Sequence, residues 1–510
     1  MKDIQSIIES NTINDEEKDN KIREIYKELK KKELDELRKI FNIDAFKIIL
    51  NYINNCRTGI EKILLDIIEL IAENGVYEYD QWDPPDPIFN DIKSSGLNDK
   101  IKQMIKDKIE EEKEQKKYSD ETEQLIRIYV QIMKGNESNQ QMINICAQVI
   151  DKNINNLLIT INKLKDEDNK GIKKEQENEE TEREIKQSSQ LIKVITLIKE
   201  KVPNIDWMTR IPDQNMKIVK ERICPLIHLN CPPDINCQYC INVPQSLVLL
   251  ELKSYVFQTL ADVSYDNDEF RDMLVNDHNI IPHLTHPLIQ FASQSQLDKR
   301  IDQQEQHNQQ KSESTSSLSL IASSINLLKR LISKNNICKV VINTPNALHS
   351  LFTLSIYKLN IHFNKIYDIQ TFEVRHSSRW CLWFIQVFGD LSAHSEFINA
   401  RYVGVLVIAI STASGSGEEY DGEISLGLDN ISDFIRDLHQ GKNNYATFPP
   451  QPLLARRSDE QLEEEGAIEE IDSLQKYKGD YDHIKISAIR AKGMILNYFI
   501  EQDNPRPDQY

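Results

Sequence analysis

The chain has 510 residues, of which 39% are hydrophobic and 28% are charged, a balance typical of a folded protein. Its formal charge of −19 argues against nucleic-acid binding, because contacts with phosphate groups require a basic face. One compact core rarely holds more than about 250–300 residues, so the length predicts several domains or one extended array. The 15 glycines and 17 prolines are few, and this scarcity of turn-forming residues favours an all-α chain.

The start of the chain and its cysteines indicate the compartment. The opening residues alternate charged and polar side chains without the hydrophobic run of a signal peptide. Eight cysteines are too few for a disulfide framework, and the apolar run at 403–410 is too short to span a bilayer. We therefore expect a cytoplasmic protein that does not bind membranes, and a nuclear location remains open.

The N-terminal half contains helical patterns separated by polar segments. Apolar positions at helical spacing between 20 and 41 predict an amphipathic helix, which we assign to an N-terminal cap over residues 1–41. Further helix pairs predict helical repeats over 42–165. The highly charged segment 166–188 is predicted to be a linker, either solvated or a long exposed helix.

A loop near Trp82 contains Tyr79 and three prolines, which forbid a continuous helix. It is either a binding loop with aromatic anchors or an ordered connector whose rings pack back onto the helices.

The second half of the chain, 189–510, repeats one phrase: a long apolar helix, a polar turn, a short helix and another apolar helix. The copies are SLVLLELKSYVFQTLADVSYDNDEFRDMLVNDHNIIPHLTHPLIQFA, SLIASSINLLKRLISKNNICKVVINTPNALHSLFTLSIYKL and RWCLWFIQVFGDLSAHSEFINARYVGVLVIAIS. Such a unit cannot bury its apolar face alone, so the copies are expected to stack. Three stretches interrupt the phrase and are predicted to be disordered insertions, near 294–317, 411–424 and 441–466.

The phrase resembles armadillo repeats. The resemblance is carried by LADVS at 260–264 and FGDLS at 388–392, which close long helices, and by IIPHL at 280–284 and RICPLIHL at 222–229, which begin second helices. It implies an all-α fold, an armadillo-like right-handed α-solenoid interrupted by disordered insertions. The spacing is irregular, and the usual glycine before the second helix is missing, so HEAT-type repeats remain an alternative.

In peptide-binding armadillo proteins, a Trp-x-x-x-Asn pair on each long helix clamps an extended peptide. The resemblance places the Asn position at Asp262, Arg330 and Asp390. The Trp position falls on Gln258, Asn326 and Gln386, and Trp380 and Trp383 lie one turn or more too early. The clamp used in nuclear import is therefore not reproduced. The six positions instead predict a polar face that binds an extended, basic protein segment, or an ordinary solvated surface.

One cysteine-rich segment raises a metal-binding alternative. Cys224, His228, Cys231, Cys237 and Cys240 lie within 17 residues, and a Cys-x-x-Cys turn supplies two zinc ligands well. Buried small hydrophobic cysteines are the competing interpretation. A second cluster, His278, His283 and His286, is more simply explained by exposed or capping histidines.

The sequence contains no glycine-rich phosphate loop, nucleophile elbow, kinase signature or His-Glu-x-x-His helix. We therefore predict a non-enzymatic scaffold or adaptor that binds other proteins, without cofactor, metal or small-molecule substrate. A transport or trafficking adaptor for basic extended peptides is the first alternative. A zinc-stabilised helical protein, or an enzyme whose site has no local motif, is the second.

Overall fold

A computed structural model describes residues 6–7, 15–32, 34–55, 58–77, 87–133, 140–170, 175–202, 205–265, 267–301, 315–333, 335–411, 420–476 and 483–496. Helices dominate these residues, and the predicted all-α class is confirmed. None of the described helices combines the length and the apolar character needed to cross a bilayer.

The helices are numbered in chain order. Up to residue 218 they are α1 Asp15–Leu29, α2 Leu34–Ile40, α3 Ile43–Asn55, α4 Thr58–Tyr77, α5 Pro87–Ser94, α6 Leu97–Glu111, α7 Asp120–Ile132, α8 Gln140–Lys170, α9 Glu175–Val194 and α10 Asp213–Ile218. They continue as α11 Leu247–Val263, α12 Asp268–Asn276, α13 Ile280–Ile301, α14 Thr315–Ile332, α15 Asn335–Asn343, α16 Ala347–Ser355, α17 Lys365–Phe388, α18 Leu391–Asn399, α19 Tyr402–Ile410, α20 Asp421–Gln440, α21 Pro452–Glu464, α22 Ala467–Leu474 and α23 His483–Leu496.

A small antiparallel hairpin lies between α9 and α10. Its strands are β1 Glu200–Val202 and β2 Ile205–Arg210, with Glu200 opposite Arg210. Two compact units make up the chain: unit 1 contains residues 1–230 and 239–259, and unit 2 contains 231–238 and 260–510.

In unit 1, α4 packs against α1 and α7, and α9 packs against α7 and α8. The described part of the charged segment 166–188 is helical, which favours the helix over the solvated linker. Charge does not keep this helix away from the core, because Ile185 is buried and Glu184 accepts hydrogen bonds from Lys117 and Asn156 at 3.1 and 2.6 Å. The predicted helix over 20–41 is divided by a turn between α1 and α2.

Each copy of the repeated phrase forms a long helix followed by two further helices. The helices come in the order α11–α12–α13, α14–α15–α16 and α17–α18–α19. Helix α17 packs against α14 on one side and contacts α16 and α20 as well. The segment 222–229 departs from the predicted second helix, because it combines a π-helical turn, Val219–Ile223, with a 3₁₀ turn, Cys224–His228. Pro225 has no backbone N–H to donate to a regular α-helix.

The turns before the second helices adopt a left-handed conformation without glycine. Asn279, Asn346 and Arg401 precede α13, α16 and α19 with φ of 46°, 64° and 59°. Asparagine tolerates this region better than most residues because its short side chain bonds locally. The conformation that glycine usually provides at this position is therefore present in all three turns.

The stretch 441–466 is ordered, contrary to the predicted disordered insertion. Lys442 and Phe448 form an antiparallel bridge, and α21 follows from Pro452. Proline suits the first position of a helix, where its missing N–H costs nothing, and Ala455 and Leu462 bury the inner face of α21. The other two insertions are partly helical, in α13 to Ile301 and in α20 from Asp421, and 302–314 and 412–419 lie outside the described residues.

The core of unit 2 contains a cluster of rings. The centroid of Tyr402 lies 4.5 Å from that of Phe397 and 5.3 Å from that of Phe434. The His394 ring stacks on Phe434 at 5.4 Å, and its Nδ1 donates to the carbonyl oxygen of Asp390. Burial lowers the pKa of His394 to about 4.

The left-handed turn at Asn346 predicts a distinct substitution pattern. Asn346 is exposed and its side chain does not cap α16, so Asn346→Val tests the backbone alone. We expect Asn346→Val to lower the free energy of unfolding by about 1–2 kcal/mol, since a β-branched residue resists positive φ. Asn346→Gly should stay within about 0.5 kcal/mol of wild type in urea denaturation. Equal losses of unfolding free energy in Asn346→Val and Asn346→Gly would contradict a left-handed conformation at this residue.

Buried His394 predicts a loss of stability in acid. Its pKa is about 4 in the folded chain and about 6.5 when unfolded, so the unfolded state binds the proton first as the pH falls. This contribution is present above pH ~6.5 and is lost progressively down to pH ~4, by roughly 3 kcal/mol. Urea denaturation from pH 7 to 4 should show a smaller loss for His394→Gln than for wild type. Parallel pH profiles would contradict the prediction.

Candidate functional site

The six polar positions predicted from the sequence lie in different environments. Asp262 is exposed on α11, where Gln258 is half-buried. Asn326 and Arg330 are half-buried on α14, one turn apart, and the Arg330 guanidinium lies over the Tyr265 ring at 4.4 Å. These positions remain predictions as binding residues.

Gln386 on α17 faces the core. It is 1% exposed, its Nε2 donates to the carbonyl oxygen of Asn430 at 3.2 Å, and its Oε1 accepts from the hydroxyl of Tyr402 at 2.9 Å. The amide of Gln386 therefore joins α17, α19 and α20, and a peptide cannot reach it in this arrangement. The spacing of residues along a helix predicts which of them share a face. It does not predict which neighbouring helix covers that face.

Asp390 begins a helix. Its carboxylate accepts hydrogen bonds from the backbone N–H groups of Ser392 and Ala393 at 3.1 and 3.3 Å, as an N-cap of α18. An N-cap satisfies backbone donors that have no partner within the helix. The structure thus gives Gln386 and Asp390 structural contacts instead of a shared polar row.

A row of rings follows α17. Phe372, His376, Trp380, Phe384 and Phe388 recur every four residues, with successive centroids 5.7, 6.1, 6.1 and 6.1 Å apart. Residues at this spacing share one helix face. All five side chains are half-buried, so each ring keeps a solvent-exposed edge or face. We call this row the aromatic stripe, and it extends over roughly 24 Å of helix.

Other rings widen and lengthen the aromatic stripe. Trp383 lies 5.0 Å from Trp380 and is also half-buried. Tyr420 lies 4.3 Å from Phe372 at one end, and Tyr445 lies 4.7 Å from Phe388 at the other. Tyr420 is 54% and Tyr445 68% exposed. The stripe thus continues at both ends onto other elements of unit 2.

A buried ion pair lies under the stripe. The Glu423 carboxylate on α20 accepts from Nη1 of Arg379 at 2.9 Å and pairs with Nδ1 of His376. Arg379 is 4% exposed, and its Nε donates to the carbonyl oxygen of Ser355 at the end of α16. Burial alone would raise the pKa of Glu423, but the His376 hydrogen bond and the Arg379 charge outweigh it and hold the pKa below its usual value.

The chemistry of the stripe is binding by contact. Aromatic faces pack against apolar groups and attract cations, most strongly at tryptophan. Apolar surface that is grouped in one place often marks an interaction site on a soluble protein, and the five residues of the stripe are each partly accessible to solvent. The ion pair of Glu423 with Arg379 and His376 links α17 to α20, which helps to fix the position of the rings.

The four-residue aromatic period is visible in the sequence. The Trp-x-x-x-Asn pattern does not reveal this period, because it concerns single positions and not the periodicity of a helix face. Trp82 and its loop lie outside the described residues.

Neither models of known protein families nor curated protein sequences match this chain.

The buried ion pair predicts a large stability difference between two carboxylates of α20. Glu423→Gln leaves Arg379 buried without its counter-charge, and we expect unfolding to become easier by about 3–5 kcal/mol. Asp429, which pairs with Arg490 at the surface, is the matched control, and Asp429→Asn should cost about 1 kcal/mol or less. Urea denaturation followed by tryptophan fluorescence measures both. Similar losses in the two variants would contradict the prediction.

Proposed function

We propose that the protein is a non-enzymatic scaffold or adaptor that binds other proteins through the aromatic stripe of α17. The observation that carries this proposal is the row of half-buried rings that ends in two exposed tyrosines. Tyrosine and tryptophan provide large contact areas with few rotatable bonds, and they dominate the energetics of many protein interfaces.

We further propose that the helices of 189–510 stack as an armadillo-like solenoid. The recurring order of a long helix and two further helices supports this arrangement. The left-handed residues Asn279, Asn346 and Arg401 support it as well, since each occupies the turn where the repeat needs positive φ. Contact of α17 with both α14 and α20 fits long helices that follow one another in a row.

The partner we propose is an extended protein segment that carries lysine or arginine. The chain has a net charge of −19, which attracts basic partners over long range. A cationic head placed over Trp380 or Trp383 gains a cation–π contact, and apolar side chains between the cations pack on the phenylalanines. A stripe of roughly 24 Å accommodates about seven residues of extended chain.

A partner of this kind agrees with the alternative predicted from the sequence, an adaptor that recognises basic extended peptides. The exposed carboxylate of Asp262 and the polar side chain of Asn326 remain candidate contacts for such a segment. The rings would supply most of the binding free energy, and the polar positions would lie at the edge of the interface. Desolvated aromatic side chains contribute more to binding than exposed polar groups do.

Peptide binding tests the proposal. Immobilised nine-residue peptides with lysine or arginine at alternate positions are compared with matched peptides that carry glutamate instead. We expect the chain to bind members of the basic set, and the double variant Trp380→Ala/Trp383→Ala to lose about 30-fold or more in affinity, the loss of a typical hot spot.

Phe363→Ala is the control variant, since Phe363 is 48% exposed just before α17 and lies outside the stripe. It should bind as wild type does, and circular dichroism checks that both variants are folded. Equal binding of acidic and basic peptides, or wild-type affinity in the folded double variant, would overturn the proposal.

A further inference from the structure

A group of soft metal ligands lies in unit 2, away from the aromatic stripe. The segment 231–238 provides Cys231 and Cys237, and the first turn of α13 provides His283. Each side chain offers one donor atom, and these three atoms all lie within 4.8 Å of one another. Sγ of Cys231 is 3.5 Å from Nδ1 of His283. We propose that Cys231, Cys237 and His283 bind a structural Zn²⁺ ion.

The separation of Cys231 and His283 fits a tetrahedral zinc ion. Zn–S bonds of about 2.3 Å and Zn–N bonds of about 2.0–2.1 Å at the tetrahedral angle put sulfur and nitrogen about 3.6 Å apart. The separation of Cys231 Sγ and His283 Nδ1, 3.5 Å, matches this edge. Thiolate and imidazole are also the ligands that zinc prefers in structural sites.

The backbone of the segment 231–238 brings the two cysteines towards one point. A 3₁₀ turn, Pro233–Ile235, separates them, and Asn236 reverses the chain directly before Cys237 with φ of 49°. Asn230 has a similar φ of 45° directly before Cys231. Each cysteine therefore follows a left-handed asparagine, which bends the chain sharply without glycine.

A second contact fixes the same segment to the same helix. Nε2 of His286, one turn after His283 along α13, lies 3.3 Å from Oδ2 of Asp234. The side chain of His283 is only 3% exposed, which suits a ligand that holds a structural ion. The His286–Asp234 contact orients the ligands from outside the group, as supporting residues do at metal sites.

The proposed ligands differ from the cysteine-rich set that the sequence indicated. Cys224 is fully buried, and burial raises the pKa of its thiol to about 12, which disfavours the thiolate that zinc requires. Sγ of Cys240 lies 3.0 Å from Oδ1 of Asn242. His283 lies 46 residues after Cys237, so local spacing in the sequence does not reveal it.

Cys231, Cys237 and His283 supply three of the four positions of a tetrahedral zinc ion.

Zinc and cobalt binding to the full chain test the proposal. Wild-type protein, purified under reducing conditions and loaded with Zn²⁺, should retain one equivalent after desalting. With Co²⁺ it should show the visible absorption of a tetrahedral ion and thiolate-to-cobalt charge transfer. Cys231→Ser, Cys237→Ser and His283→Gln should each weaken Zn²⁺ binding by roughly 100-fold or more, and His286→Gln by roughly tenfold.

His278→Gln is the matched control, because His278 lies just before α13 and is not among the proposed ligands. It should bind Zn²⁺ as wild type does. A chelator should lower the midpoint of thermal unfolding of wild type and leave that of folded Cys237→Ser unchanged, since a bound ion stabilises only the state that binds it.

Three results would overturn the proposal. They are wild-type protein that retains no Zn²⁺, a Cys231–Cys237 disulfide in the intact mass after reducing purification, and folded ligand variants that bind Zn²⁺ with wild-type affinity.

Discussion

The buried carboxylate of Glu423 joins three helices of unit 2, and the candidate binding surface depends on it. Glu423 on α20 pairs with Arg379 on α17, and Arg379 also donates to the last turn of α16. A charge buried this deeply is tolerated only with a counter-charge and hydrogen bonds around it. The helices that supply these partners cannot move apart without exposing an unpaired ion, so the network fixes the position of α17 more strictly than apolar packing alone.

This network explains an unusual division of faces on α17. Arg375 and Arg379 are 5% and 4% exposed, whereas Trp380, Phe384 and Phe388 are only partly buried. A surface helix usually does the opposite, with charges outside and aromatic side chains inside. Burying two arginines in place of rings costs stability, and a function of the partly exposed rings would explain why this arrangement is kept. Binding a partner is such a purpose, because the partner completes the desolvation of rings that the fold leaves half-covered.

The sequence predicted most of the helices but not the contacts that define the sites. Apolar spacing predicted the all-α class and the order of helices in the repeated phrase, because both depend on local periodicity. The prediction of a disordered insertion at 441–466 is wrong, because Pro452 begins a helix there. The sequence also put Gln386 on a binding face, since the partner helix that covers it is not encoded locally. The sequence favoured an exposed or capping role for His283, whereas it is 3% exposed and lies close to Cys231 and Cys237, which are distant in sequence.

Left-handed asparagines link the repeats to the proposed metal site. Asn279, which directly precedes α13 and lies four residues before His283, has the same backbone conformation as Asn230 and Asn236, which precede the two cysteines. Positive φ costs about 1–2 kcal/mol for most residues and less for asparagine, so the chain adopts it where neighbouring contacts hold the turn. Before α16 those contacts are supplied by packing, since Ala347 is buried in the first turn. Cys231 and Cys237 are only half-buried, and hydrogen bonds hold the turn before Cys231: the backbone N–H of Asn230 donates to the carbonyl oxygen of Ile241, and Oδ1 of Asn230 accepts from the N–H of Val243. A zinc ion bound to both cysteines and to His283 would add to this stabilisation, because each metal–ligand bond constrains the residue that follows a left-handed turn.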